Sequence, residues 1–141
     1  MKILILALAM VVSTAPPASA QRTDSSHPLA VGGRDRTYTL HLPALRDGRP
    51  LPLVVLLHGR LGTGAGMARL TSFDAIADSV GILVAYPDGW RRSWADGRMG
   101  TPADRQGVDD VAFVLAMIDD IARTVPIDRH RIYVAGISNG G

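Results

Sequence analysis

RIYVAGISNGG (residues 131–141) runs from β-formers straight into a serine flanked by glycines. Gly136-Ile137-Ser138-Asn139-Gly140 reads as G-x-S-x-G. Alone, that pattern is weak, because small residues recur by chance and a strand ending in a solvent-facing serine satisfies it. Its context gives it meaning. A serine pushed into strained backbone with its Oγ exposed needs a strand, then a very tight turn. Tyr133-Val134-Ala135 supply the strand. Gly136 and Gly140 supply clearance, since glycine lets neighbouring backbones pass without a Cβ clash, and Gly141 adds another small position.

Working outward, Leu53-Val54-Val55-Leu56-Leu57 is a continuous apolar run of the kind found in strands covered on both faces. His58-Gly59-Arg60 follows it. In serine sites built on a strand-to-helix turn, one oxyanion donor is the N–H of the residue after the nucleophile. The other comes from the loop after an earlier strand, often an H-G loop. Ser138 is therefore the candidate nucleophile, Asn139 and Arg60 the candidate N–H donors, and His58 and Gly59 the candidate oxyanion loop. His58 reads as a support for that loop and not as the base, which follows the nucleophile in chain order in such sites.

The remaining pattern predicts a half-buried strand over 34–42, a helix over 64–80, a buried strand over 82–86 and a helix over 108–125 with Asp109-Asp110 in its first turn. A further buried strand covers 131–135. Residues 88–107 are rich in Gly, Asp and Arg and read as a long functional loop. Strands alternating with helices imply right-handed βαβ units and a mostly parallel sheet covered by helices, an α/β fold.

Residues 1–20 carry Lys2, an apolar run from Ile3 to Val12 and a small-x-small ending at Ala18-Ser19-Ala20. That three-part pattern is a secretory signal peptide, cleaved near Ala20 and too short to span a bilayer, which implies a secreted or periplasmic protein. Residues 21–33, polar and punctuated by Gly and Pro, read as a flexible leader before a domain over 34–141. The chain has no cysteine, which excludes disulfides, a thiolate metal site and a catalytic thiol. Its net charge of +2 comes from scattered arginines with no basic stripe, so nucleic acid is not expected as a partner.

LPLVVLLHG, VAYPDG with Trp94 nearby, VDDVAFV and RIYVAGISNGG together resemble extracellular polyhydroxybutyrate depolymerases and feruloyl-esterase-like proteins. These are similar to carbohydrate esterase family 1 of the α/β-hydrolase superfamily. The resemblance implies a secreted serine esterase with Ser138 as nucleophile and no metal or organic cofactor. It also implies substrates among poly- or oligo-3-hydroxybutyrate, or feruloyl and acetyl esters of polysaccharides. Trp90 and Trp94 are weaker substrate-binding candidates, packing of the loop being the plainer reading.

Two departures stand out. Relatives often carry cysteines in the loop before V-D-D-V, and residues 95–107 have none. The Asp and His of the superfamily's triad follow the serine, so this sequence reads as the front portion of an esterase domain, truncated after the serine turn and inactive by itself. Two other readings remain. One is a non-catalytic polysaccharide-binding relic using Trp90 and Trp94. The other is a dinucleotide-binding module built on Gly62-Thr63-Gly64-Ala65-Gly66, against which Met67 stands where the third fingerprint glycine belongs.

Overall fold

The central strand explains the architecture. β3 (Leu51–Leu57) is apolar at every position, so neither face can be left to water. In the computed structural model, which describes residues 25–44 and 48–141, it lies between two other strands and under helices on both sides. The stretch read as a signal peptide lies outside the described residues.

The other strands are β1 (Ser25–Val31), β2 (Arg34–His41), β4 (Leu83–Pro87) and β5 (Ile127–Gly136). The helices are α1 (Gly64–Thr71), α2 (Phe73–Val80), α3 (Pro102–Arg105) and α4 (Asp110–Thr124). The sheet order is β1-β2-β4-β3-β5. β4, β3 and β5 run parallel, whereas β2 is antiparallel to β4 and β1 antiparallel to β2. Pro52, which has no N–H to give a ladder, falls where the β3–β5 register breaks between Leu51 and Leu53.

The period of two along each strand sorts the core into two layers. Leu53 and Val55 of β3, Leu83 and Ala85 of β4, and Tyr38 and Leu40 of β2 face Met117, Ile118 and Ile121 of α4. Leu56, Val84 and Tyr86 face the opposite way, against Met67 of α1 and Ala77 of α2. Each fully buried aliphatic side chain here contributes roughly 1.5–3 kcal/mol.

Three expectations are corrected. The segment read as a flexible leader contains β1, paired residue for residue with β2 from Ser25↔Leu40 to Val31↔Arg34. Gly32 and Gly33 both take positive φ (58° and 70°), the two-residue turn that matches strand twist. The expected helix over 64–80 is broken at Ser72, which is left-handed (φ 48°) and joins α1 to α2. Thr71 competes for the backbone there: its hydroxyl donates to the Met67 carbonyl and accepts from Phe73 N–H. The loop over 88–107 is also partly ordered by its own elements, a short 3₁₀ turn at Trp90–Arg92 and α3. α3 is started by a reciprocal pair in which Thr101 Oγ1 accepts from Asp104 N–H and Asp104 accepts from Thr101 N–H.

β5 pairs with β3 along one edge, and among the described residues no strand pairs with its other edge. Tyr133 and Val134 on β5, with Val111 and Leu115 on α4, are more than half exposed.

Candidate active site

β5 carries the chain to Gly136, and Ser138 then takes φ 56°, a conformation that costs a residue with a Cβ about 1–2 kcal/mol. The turn closes with Gly140 N–H donating to the Ile137 carbonyl at 3.0 Å. Only glycine fits around it. A Cβ on Gly136 would lie 1.9 Å from the Gly140 carbonyl oxygen, and one on Gly140 would lie 2.6 Å from the His58 carbonyl oxygen. Ser138 is left exposed at the carboxyl end of the parallel strands.

The loop after β3 comes to meet it. A Cβ on Gly59 would be 3.4 Å from Ser138 Cβ and 3.3 Å from the Ile137 carbonyl oxygen. Gly62 N–H donates to the Gly59 carbonyl at 2.9 Å, turning the loop sharply through Arg60 and Leu61 (φ 65°). Among the described residues, the N–H groups of Arg60 and Asn139 have no acceptor. Both are therefore unengaged.

His58 is buried and lines the same cavity as Ser138. Its Nε2 accepts from Gly89 N–H at 2.9 Å, and an N–H can only donate. The ring proton therefore sits on Nδ1, which donates to the Gly59 carbonyl at 2.7 Å. With both nitrogens engaged, the imidazole fixes the loop and takes no proton from Ser138. His27 stacks on Tyr38, His41 Nε2 lies 3.0 Å from Asp78, and His130 is exposed on β5.

The two tryptophans do not form a sugar platform. Trp94 is buried, and its indole N–H donates to the His58 carbonyl at 2.8 Å, so it is part of the loop's support. Trp90 is half-buried, with the Arg34 guanidinium 5.1 Å from its ring centroid. The glycines at 62–66 are likewise structural. A Cβ on Gly64 would meet the Tyr86 carbonyl oxygen at 2.2 Å, so Gly64 lets α1 lie against β4. The α1 N-terminus, where a dinucleotide's pyrophosphate would sit, already holds a carboxylate: Gly64 N–H donates to Asp88 Oδ1 at 2.7 Å.

Sequence reasoning missed the groups that hold the serine turn from behind. The Asn139 amide accepts from Trp94 N–H at 2.9 Å and donates to the Trp94 carbonyl and to Asp96 at 2.8 Å. Arg98 beside Asp96 holds that carboxyl well below the usual carboxylate range. Asp110, read only as a helix-start acid, pairs with buried Arg36 at 2.7 Å and accepts from Ala95 N–H at 2.7 Å. Asp109 is the N-cap of α4. A buried arginine over the Phe113 ring, 3.9 Å from its centroid, has no local sequence signal, because residues 36 and 110 meet only in the fold.

Beside Ser138 is a cavity of about 420 Å³ between the loop after β3 and α1, with Gly62, Thr63, Met67, Leu70 and Ile137 on its wall. Among the described residues no group of three or more histidines or carboxylates is placed to hold a metal ion.

Residues 36–141 match the family model described as Esterase PHB depolymerase. The chain belongs to that family. The relative NocK of Nocardia uniformis subsp. tsuyamanensis, whose name calls it an esterase, is 35% identical over 126 residues. That match covers 86% of this chain and 36% of NocK, so the chain spans about a third of its relative's length. Among solved structures, the acetyl xylan esterase from Aspergillus awamori superposes with a TM-score of 0.65 at 19% identity, over 82% of this chain and 43% of that one. A ferulic acid esterase from Anaeromyces mucronatus gives 0.59 at 15%, over 90% and 53%. These likenesses show the shared α/β-hydrolase fold.

Proposed function

We propose that this chain carries the nucleophile and oxyanion donors of an exported serine esterase that cleaves carboxylic esters through an acyl-serine intermediate. The observation that supports it best is Ser138 itself, exposed in left-handed backbone against Gly59, with the unengaged N–H groups of Arg60 and Asn139 beside it. Ser138 Oγ attacks the ester carbonyl carbon, and the carbonyl π pair moves to oxygen. The two N–H groups stabilise that oxyanion, whose collapse expels the alcohol and leaves the acyl group on Ser138. Water then reverses the sequence. Aliphatic hydroxyacid polyesters, or feruloyl and acetyl esters on polysaccharide, are the substrate classes the family points to. Export rests on the three-part pattern of residues 1–20, and N-terminal sequencing of the mature protein should begin near Gln21.

The Ser138 proton needs a base. His58 is engaged, and the other three histidines are placed elsewhere, so we place the base and its acid outside the described residues. An oxyanion hole with substrate binding alone is worth about 10³–10⁴ over water. Incubated with p-nitrophenyl acetate, the 141-residue chain is thus expected to acetylate slowly at Ser138 and to turn over poorly. Intact-mass and peptide analysis beside Ser138→Ala tests this. Acetyl found on other residues, or unchanged in the alanine variant, would overturn the role of Ser138.

A further inference from the structure

We propose that the cavity between α1 and the serine turn is the acyl site, that it takes an unbranched aliphatic acyl group, and that Leu70 sets the length accepted. The proposal deepens the esterase reading and rests on it for the position of the reacting carbonyl.

The wall chemistry carries the argument. Met67, Leu70 and Ile137 give the cavity its apolar side-chain surface, and no phenylalanine, tyrosine or tryptophan lines it, the His58 imidazole being its one ring. Two of its polar side chains have acceptor or ring positions already committed. Thr63 Oγ1 accepts from Gly66 N–H at 3.0 Å, and both His58 ring nitrogens are bonded. Beyond the Thr63 hydroxyl and Arg60 at the rim a polar or charged substituent would find little to bond, whereas methylenes would lose water against thioether and aliphatic surface. Ferulate's phenol would find no phenylalanine, tyrosine or tryptophan to stack on, and few side-chain partners beyond Thr63 and the exposed Arg60 at the rim.

The wall also shares residues with the reacting group, since Ile137 and Gly59 flank Ser138 and line the cavity. The acyl group stays on Ser138 through both chemical steps, but the alcohol departs after the first. The surface continuous with Ser138 therefore suits the acyl arm. Met67 closes the inner end, being buried in the core against β4. Leu70, one turn further along α1 and 68% exposed, stands at the outer end and limits how far a chain extends under cover. Because it is exposed, its replacement leaves the core alone.

Binding to the purified chain tests this without requiring turnover. Ethyl acetate, ethyl butyrate, ethyl hexanoate, ethyl ferulate and hexyl acetate are titrated while the methyl resonances of Met67 and Ile137 are followed. Affinity is expected to rise from acetate to butyrate to hexanoate by up to about fourfold per methylene. Hexyl acetate should match ethyl acetate, and ferulate should bind no tighter than butyrate. Leu70→Trp should weaken hexanoate at least roughly fivefold and spare acetate, and Leu70→Ala should level the length dependence. Equal gains for hexyl acetate, tightest binding of ferulate, or no response at Met67 and Ile137 would overturn the acyl assignment. The acetylation assay on Ser138 is independent. Chain-length binding with no acetyl on Ser138 would remove the esterase reading, and acetylation without chain-length binding would remove this one.

Discussion

At the scale of single residues the site is built by subtraction. Gly136, Gly140 and Gly59 are where a Cβ would strike the serine turn or its neighbour, and Ser138 itself bears the strain. Overpacking into soft side chains costs about 1–3 kcal/mol, but the obstacle at Gly136 is backbone 1.9 Å away, which cannot swing aside. Gly136→Ala is therefore expected to destabilise by about 3 kcal/mol or more. Urea unfolding followed by circular dichroism checks this, and a loss below about 1 kcal/mol would mean that the turn is looser than its geometry indicates.

At the scale of elements, the serine turn is held by its contact with the loop before α4. Asp110 serves two partners at once, the Arg36 guanidinium from β2 and Ala95 N–H from the loop. Taking one partner from a buried ion pair leaves the other charge uncompensated, at about 3–5 kcal/mol, whereas replacing both with apolar groups can be nearly neutral. Asp110→Leu is expected to destabilise within that range and to release Trp94, seen as a red shift of its emission. Arg36→Met combined with Asp110→Leu should recover much of the loss. Equal stability of the single and double variants would show that the pair is not coupled.

That coupling also marks the limit of what the chain's order conveys. Periodicity placed β3, β4 and α4 well because their burial is continuous along the sequence. The motifs at Ser138 and His58-Gly59 were legible because each is a local pattern, and the fold brings the two loops together. The hairpin of β1 and β2 carries a two-residue turn signal in Gly32-Gly33, but the polar Ser25-Ser26-His27-Pro28 before it has no strand periodicity. Thr101-Pro102-Ala103-Asp104 likewise has the form of a helix start. The partners Arg36–Asp110, Asn139–Trp94 and Asp88–Gly64 lie 24 to 74 residues apart. No pattern along the chain could have joined them.

At the scale of the whole molecule, ionisation links the sheet to the helical layer that covers one of its faces. The Tyr38 hydroxyl donates to Asp120, holding that carboxyl below its ordinary range, and burial with the same carboxylate raises the phenol. A depressed carboxyl contributes stability that is complete above its unfolded value near 3.9 and is lost as pH falls through the folded value. A raised phenol contributes stability that is complete below its unfolded value near 10 and is lost as pH rises through the folded one. The link between β2 and α4 should therefore be strongest between about pH 5 and 9. Asp120→Asn should lower stability at pH 7 and lose that deficit below about pH 4, as read from thermal midpoints across pH. A deficit independent of pH would assign the loss to packing.

Asp88 has a wider consequence. An uncapped helix presents about half a positive charge at its N-terminus, and α1 begins at the edge of the cavity beside Ser138. The Asp88 carboxylate on Gly64 N–H cancels that field at its source. On the proposed reading, what the backbone adds near Ser138 is then the short-range pull of the Arg60 and Asn139 N–H groups, felt at hydrogen-bond distance. The helix therefore adds nothing to the pull on anions at this cavity, which is left to the exposed Arg60 at its rim.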